Sequence, residues 1–176
     1  MAPADVIALL EERFGSAITG KKLDAIDPYA IVAVDRIVEV SSFLRDDPGL
    51  KFDLLNSITG VDYLETDAKK LAKAGFEPHL EVVYHLTSFT NRNRFTFKLI
   101  LPRWKENIEG QLPEVPTVSG VWATADWHER ETFDLCGIFF TGHPDLRRIL
   151  LAEDWEGYPL RTPYAFPLEH HGIRRR

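Results

Sequence analysis

Residues 79–86 read HLEVVYHL and residues 94–101 read RFTFKLIL, with the polar stretch TSFTNRN at 87–93 between them. In the second run Phe95, Phe97 and Leu99 alternate with Thr96, Lys98 and Ile100. A period of two sends successive side chains to opposite faces of a strand. Two such runs joined by Ser88-Phe89-Thr90-Asn91-Arg92-Asn93 predict an antiparallel hairpin.

Toward the N-terminus, Val6, Ile7, Leu10 and Phe14 recur at helical spacing, and Gly15 is placed to end that helix. Residues 30–34 and 36–40 are β-branched runs that predict two short strands, or one strand broken near Asp35. Ser41 can cap a short helix through Arg45 and Asp46, which Pro48-Gly49 stops. Residues 52–61 predict a further strand with Gly60 near its end. The charged, alanine-bearing segment 65–77 predicts a surface turn or short helix. Toward the C-terminus, a Pro-bearing connection at 112–117 leads to a helix in the region 124–136. This order is that of an α+β, two-layer domain over residues 1–151, with a mixed or antiparallel sheet and packed helices.

The chain has 176 residues, one Cys and a formal net charge of −6. A chain of this length buries about 70% of its unfolded surface and needs no disulfide or metal for a core. The single Cys136 excludes an intramolecular disulfide, a CxxC redox pair and a self-contained iron–sulfur cluster. The acidic balance argues against a nucleic-acid partner. The longest apolar run, 29–34, has six residues, against the ~20 of a membrane-spanning helix. The opening MAPADVIALLEERF has no basic segment before a long apolar one, and it carries Asp5, Glu11 and Glu12 early. Neither a secretory signal nor a mitochondrial transit peptide is expected. A cytosolic chain that meets a membrane only through partners is the expectation.

Beyond Leu151 the pattern changes. Pro159, Pro163 and Pro167 recur every four residues, each without an amide donor and each holding its predecessor extended. Trp155, Tyr158, Tyr164 and Phe166 stand among them, with Arg161, Arg174, Arg175 and Arg176 against the acid Glu169. Large rings and guanidinium groups on an extended segment suit a partner's pockets, so residues 152–176 are expected to be a docking arm. The alternative is an arm that packs back on its own domain.

Several patterns could carry chemistry. Gly15 to Lys21 matches GxxxxGK, but a helix precedes it, Lys22 replaces the hydroxyl residue and no helical pattern follows, so it reads as a helix end and turn. His128-Glu129-Arg130-Glu131 lacks the second histidine of HExxH, and no Cys/His cluster has zinc spacing. His170 and His171, in the tail, are expected to meet a partner or solvent rather than a metal. Asp126 suits an N-cap with Glu129 reaching back to it, and Gly137 suits the far end of that helix. Asp126, Arg130 and Asp134 stand at i, i+4 and i+8, so one arginine can pair with an acid on either side. Trp127, Glu131 and Leu135 form the adjacent row. These acids read as a solvated face, a structural or inter-subunit ion network, or a catalytic pair. General acid–base carboxylates usually face each other from separate elements, so the network is favoured and no catalytic residue is assigned. Cys136 reads as a buried small hydrophobe. Pro144 and Asp145 predict a turn of helix with Leu146, Ile149 and Leu150 on one side. Arg147 and Arg148 would then face the preceding helix's acids or a partner.

Glu129-Arg130-Glu131, then Asp134-Leu135, His143, Arg147 and Ile149 resemble the signature of the 30 kDa-type subunit family of bacterial proton-pumping NADH:quinone oxidoreductase, respiratory complex I. The similarity extends through 120–122 and 125–127 upstream, and through 142–151, 153–157 and Pro159-Leu160-Arg161 downstream. It is fainter at Asp62-Tyr63 and 83–86. Cys136 departs from the family's usual large apolar residue, and Thr162-Pro163 from its common Lys-Asp pair. The resemblance implies a scaffolding subunit with no catalytic residue, flavin, cluster, metal or quinone site of its own. FMN, iron–sulfur clusters and quinone would belong to the assembled complex. It implies a C-terminal extension wrapped on the neighbouring hydrogenase-like subunit near the quinone cavity, and a peripheral place on the cytoplasmic side of the bacterial inner membrane. Asp126, Glu129, Arg130, Glu131, Asp134, His143, Arg147, Arg148, Trp155, Tyr158, Arg161 and Tyr164 would be its signature and subunit-interface residues. The rival is the equivalent subunit of a membrane-bound nickel–iron hydrogenase or formate hydrogenlyase.

Overall fold

The computed structural model describes residues 1–174 except positions 66, 68, 71, 72 and 74. Its centre is the expected hairpin, β4 (His79–Ser88) against β5 (Asn93–Leu101). Ser88 pairs with Asn93, so the loop is shorter than the polar stretch suggested. The register places Leu80 opposite Leu101, Val82 opposite Leu99, Tyr84 opposite Phe97 and Leu86 opposite Phe95. These eight side chains are at most 3% exposed. Tyr84 and Phe97 stack with ring centroids 4.6 Å apart. On the opposite face Glu81 accepts from Lys98 Nζ at 2.9 Å.

The hairpin collects the remaining strands. β3 (Leu54–Tyr63) runs antiparallel beside β4, β2 (Tyr29–Val32) runs parallel to β5, and β1 (Ile18–Lys22) closes the other edge. The order is β1-β2-β5-β4-β3, a mixed sheet. Helices α1 (Pro3–Phe14) and α2 (Ile37–Asp46) share one core with it through Val6, Ile7, Leu10 and Phe14, and through Ile37, Val40 and Leu44. Burying each of these large apolar side chains contributes about 1.5–3 kcal/mol. The fold is α+β, as expected.

Residues 36–40 are not a strand. A turn at Val34–Arg36 leads directly into α2. Ile37, Val40 and Leu44 fall on one helical stripe, and burial of that stripe overrides the β preference of the branched residues. Ser41 therefore lies inside α2, fully buried, and caps nothing. The turn or short helix expected over 65–77 falls partly outside the described residues. The connection at 112–117 contains β6 (Glu114–Pro116), which pairs in parallel with β7 (Phe139–Thr141).

Helix α3 (Ala125–Cys136) covers the β3 edge of the sheet. Trp122 Nε1 donates to Phe52 O at 2.8 Å, Thr124 Oγ1 to Leu55 O at 3.1 Å, Thr132 Oγ1 to Ile58 O at 3.5 Å and Cys136 Sγ to Gly60 O at 3.6 Å. A sheet edge otherwise open to a foreign strand is thus closed by side chains. Gly60 makes the approach feasible, because a Cβ there would lie 2.8 Å from Cys136 Sγ. The small, buried cysteine fits this contact, and burial pushes its thiol pKa up to about 11.

The C-terminal segment is not uniformly extended. Glu169–His170 (β8) and Ile173–Arg174 (β9) form a small hairpin. Residues around 155–162 are fastened to the domain.

Candidate functional site

The signature residues meet where α3 faces the loop 141–151. Asp134 is fully buried. Its Oδ2 accepts the amides of Ile149, Leu150 and Leu151 at 3.1, 2.8 and 3.0 Å, and Oδ1 accepts from Arg148 at 2.7 Å. Burial alone would raise its pKa. The Leu151 and Leu150 amides, the Arg148 guanidinium and the Ile149 amide outweigh burial and hold the carboxyl below the usual carboxylate range. This explains why 144–151 forms turns and no helical turn: one carboxylate organises three consecutive amides around itself. Arg148 extends the link, donating also to the carbonyls of Trp155 and Gly157 at 3.1 Å each.

Glu129 does not reach back to cap its helix, and Asp126 is not the N-cap. Thr124 holds that position, with its hydroxyl turned to Leu55 O and not to the helix amides. Glu129 is fully buried, accepts the Val118 amide at 2.7 Å and the Thr117 hydroxyl, and so fixes the connection from β6 to α3. Burial pushes its pKa up to about 7 against those two bonds. His143 has a fully buried ring. Its Nδ1 accepts the Asp145 amide at 3.0 Å, which assigns the ring proton to Nε2, 3.1 Å from Asp126 O. Nε2 also lies 3.3 Å from Asp126 Oδ1 and 3.9 Å from Glu129 Oε2.

Arg130 pairs with neither Asp126 nor Asp134. It lies 6% exposed, donating to Arg147 O at 3.3 Å, and its guanidinium stands 5.1 Å from the Trp127 ring. Glu131 is exposed and has no ion-pair partner among the described residues. The side chain of Arg147, two-thirds exposed, bonds only the exposed Asp145 among the described residues.

The aromatic tail begins inside this arrangement. Arg161 is 6% exposed and donates to Cys136 O at 2.7 Å, Gly137 O at 2.8 Å and Arg103 O at 2.6 Å, with its guanidinium 3.9 Å from the Trp104 ring. Gly137, at φ 64°, ends α3 as expected, and a Cβ there would stand 2.6 Å from the Tyr158 ring. Trp155 Nε1 donates to Tyr164 Oη at 2.7 Å, and Tyr164 donates to Glu156 O at 2.8 Å. The expected division at 151/152 is therefore not a packing boundary. Asp62 and Arg103 complete the anchor: they pair at 2.7 Å, and Asp62 accepts the Thr162 amide at 2.8 Å. Sequence reasoning singled out Asp62 only through the faint similarity and did not find Arg103, Thr117 or Val118. The last acts through its backbone and leaves no side-chain signal.

A family profile described as respiratory-chain NADH dehydrogenase, 30 Kd subunit, matches residues 30–170. The chain belongs to this family. Among curated members, a NADH-quinone oxidoreductase subunit of Roseiflexus sp. (strain RS-1) is 47% identical over 158 residues, covering 90% of this chain and 81% of that protein. The like-named subunit of Chlorobium phaeobacteroides is 37% identical over 175 residues, covering 99% and 93%. A solved structure described as Nqo5 of the trypsin-resistant fragment (1-134) superposes with a TM-score of 0.61 at 28% identity, over 80% of this chain and 98% of that one. A chain of an archaeal membrane-bound sulfane sulfur reductase shares the fold, with a TM-score of 0.68 at 22% identity over 92% and 85%. The 30 Kd subunit match thus takes in the sheet core, the α3 signature and the anchored start of the tail. No helix among the described residues is long and apolar enough to cross a membrane.

Proposed function

We propose that this chain is a non-catalytic structural and assembly subunit of the hydrophilic arm of NADH:quinone oxidoreductase. It docks on the hydrogenase-like subunit near the quinone site and supports electron transfer coupled to proton translocation. FMN, iron–sulfur clusters and quinone are carried by other subunits, and the chain meets the cytoplasmic face of the bacterial inner membrane through them.

The carrying observation is the use made of the buried signature charges. Asp134, Glu129, Arg148 and Arg161 are turned inward onto backbone amides and carbonyls, where they hold loops in place. A carboxylate as buried as Glu129 has no open face toward a substrate. At the same time Trp127, Leu150 and Leu160 are 63%, 62% and 57% exposed around this framework, and Leu168 is 83% exposed beyond it. Rigid loops that present large apolar side chains fit a docking surface. The docking portion of the tail is then the stretch after Pro163, because the residues before it already serve the domain.

Co-expression of the full chain with the hydrogenase-like subunit tests the reading. The pair should co-purify, and Leu150→Asp together with Leu168→Asp should abolish co-purification while circular dichroism stays unchanged. Co-purification unaffected by both changes would overturn the proposed face.

A further inference from the structure

We propose that Asp154, His170 and His171 form a binding site for a divalent ion of the zinc class, closing the loop that follows Leu151 onto the β8–β9 hairpin. Their ligand atoms all lie within 4.8 Å of one another. His171 Nε2 stands 2.9 Å from Asp154 Oδ2, and His170 Nε2 stands 3.8 Å from Asp154 Oδ1. A tetrahedral ion with bonds of about 2.0–2.1 Å spaces its ligand atoms about 3.3 Å apart. The two observed separations, one to each Asp154 oxygen, straddle that value, so the three side chains are already gathered near coordinating distance. Two imidazoles and one carboxylate suit Zn2+, with Co2+ and Ni2+ as analogues, and leave a fourth position open.

Two further observations point to a ligand. Adjacent residues in a strand face opposite ways, but His171 has φ 50° at the hairpin turn, and both rings converge with centroids 4.2 Å apart. His170 Nε2 is shielded from solvent yet has no hydrogen-bond partner among the described residues. A shielded, unsatisfied nitrogen costs roughly 1–3 kcal/mol, and a metal bond would remove that cost. Trp155, Pro167 and Ile173 line an apolar cleft on the same side, and Trp155 lies 4.9 Å from the His170 ring. An apolar wall excludes water and strengthens coordination. The residues are sixteen and seventeen positions apart in sequence, so no spacing motif announces them.

The site lies within one chain and is tested without any partner, so its failure leaves the docking reading untouched. Calorimetric titration of ZnCl2 into the full chain should give one ion per chain. Co2+ should bind in its place and quench Trp155 fluorescence, an effect that Trp155→Phe removes without loss of binding. Asp154→Asn, which preserves shape, and His170→Ala with His171→Ala should each weaken binding by at least about tenfold. Circular dichroism should be unchanged, since Asp154 and His171 are exposed. Saturable binding that survives these changes would overturn the site, as would the absence of saturable binding in the unaltered chain.

Discussion

The β4–β5 hairpin and the 141–162 loops are held by opposite means. In the hairpin, four cross-strand apolar pairs are buried and the backbone bonds itself. In the loops the backbone has few partners of its own, and Asp134, Arg148 and Arg161 supply them from side chains. Apolar burial is non-directional and tolerates repacking. A charge that bonds several backbone groups fixes one loop path, and its loss strands every partner at once. The signature is dense in charge because irregular loops need specific partners.

Asp134→Ala should give the largest effect. It leaves Arg148 and three amides without their acceptor, and breaking a buried pair costs about 3–5 kcal/mol. Leu99→Ala in the hairpin should cost a comparable 2–5 kcal/mol by opening a cavity. Hydrogen exchange separates the two. Asp134→Ala should expose the Ile149, Leu150 and Leu151 amides while the hairpin stays protected, and Leu99→Ala should accelerate exchange throughout the sheet. Equal acceleration everywhere in both variants would erase the distinction.

The pH dependence sharpens it further. Burial holds the Glu129 pKa at about 7, above its ordinary 4.5. The folded chain keeps this proton between those values and the unfolded chain releases it. The associated stability is intact below about pH 4.5 and lost as pH rises through about 7, on the order of 3 kcal/mol. Thermal melts across that range should show the decline, and Glu129→Gln should flatten it. Asp134 acts in the other direction and in a lower window: its depressed pKa contributes stability that is lost only as pH falls below the usual carboxylate range.

Arg161→Lys comes next. An ammonium cannot span three carbonyls and stack on Trp104 together, so a loss of about 2 kcal/mol is expected. The tail from 155 to 162 should then become protease-sensitive ahead of the domain. Simultaneous cleavage in both would show that the tail and the domain are one cooperative unit.

What was legible follows the same divide. The hairpin, α1 and the Gly137 stop were readable because periodicity and a left-handed glycine are local signals. Residues 36–40 carry two competing signals, β-branched content and the Ile37, Val40, Leu44 spacing, and the chain follows the second. Of the expected ion network, Arg148 does meet an acid of the preceding helix, but the pairs that helical spacing suggested do not form. Helical spacing suggested Asp126–Arg130–Asp134, while the chain pairs Asp134 with Arg148 and sets Arg130 against the Arg147 carbonyl. Such pairings depend on where an aperiodic loop returns, which no window of sequence contains. The tail follows the same rule. Its prolines argue against regular structure, yet the arginine between two of them orders residues 155–162 against the domain, and β8 pairs with β9 beyond the last.

The smallest stability effect belongs to Arg147, and it bears most on docking. Arg147 and Arg148 are neighbours with opposite surroundings: side-chain exposure is 67% for Arg147 and 14% for Arg148. Among the described residues the Arg147 side chain bonds only the exposed Asp145, and a pair of that kind is worth about 0–1 kcal/mol. The Arg147 carbonyl that receives Arg130 belongs to the backbone and survives substitution. Arg147→Ala should therefore leave the melting temperature nearly unchanged, whereas Arg148→Ala should lower it as far as Asp134→Ala does. In assembly the order should reverse for equal amounts of folded chain. An arginine that anchors an interface is often worth about 2 kcal/mol or more, so Arg147→Ala should weaken co-purification with the hydrogenase-like subunit by well over tenfold. If Arg147→Ala assembles normally, this arginine lies outside the docking face, and that face must rest on the apolar residues around Leu150 and Leu160. If it unfolds the chain, the contrast between a stitched interior and a presenting exterior is drawn in the wrong place.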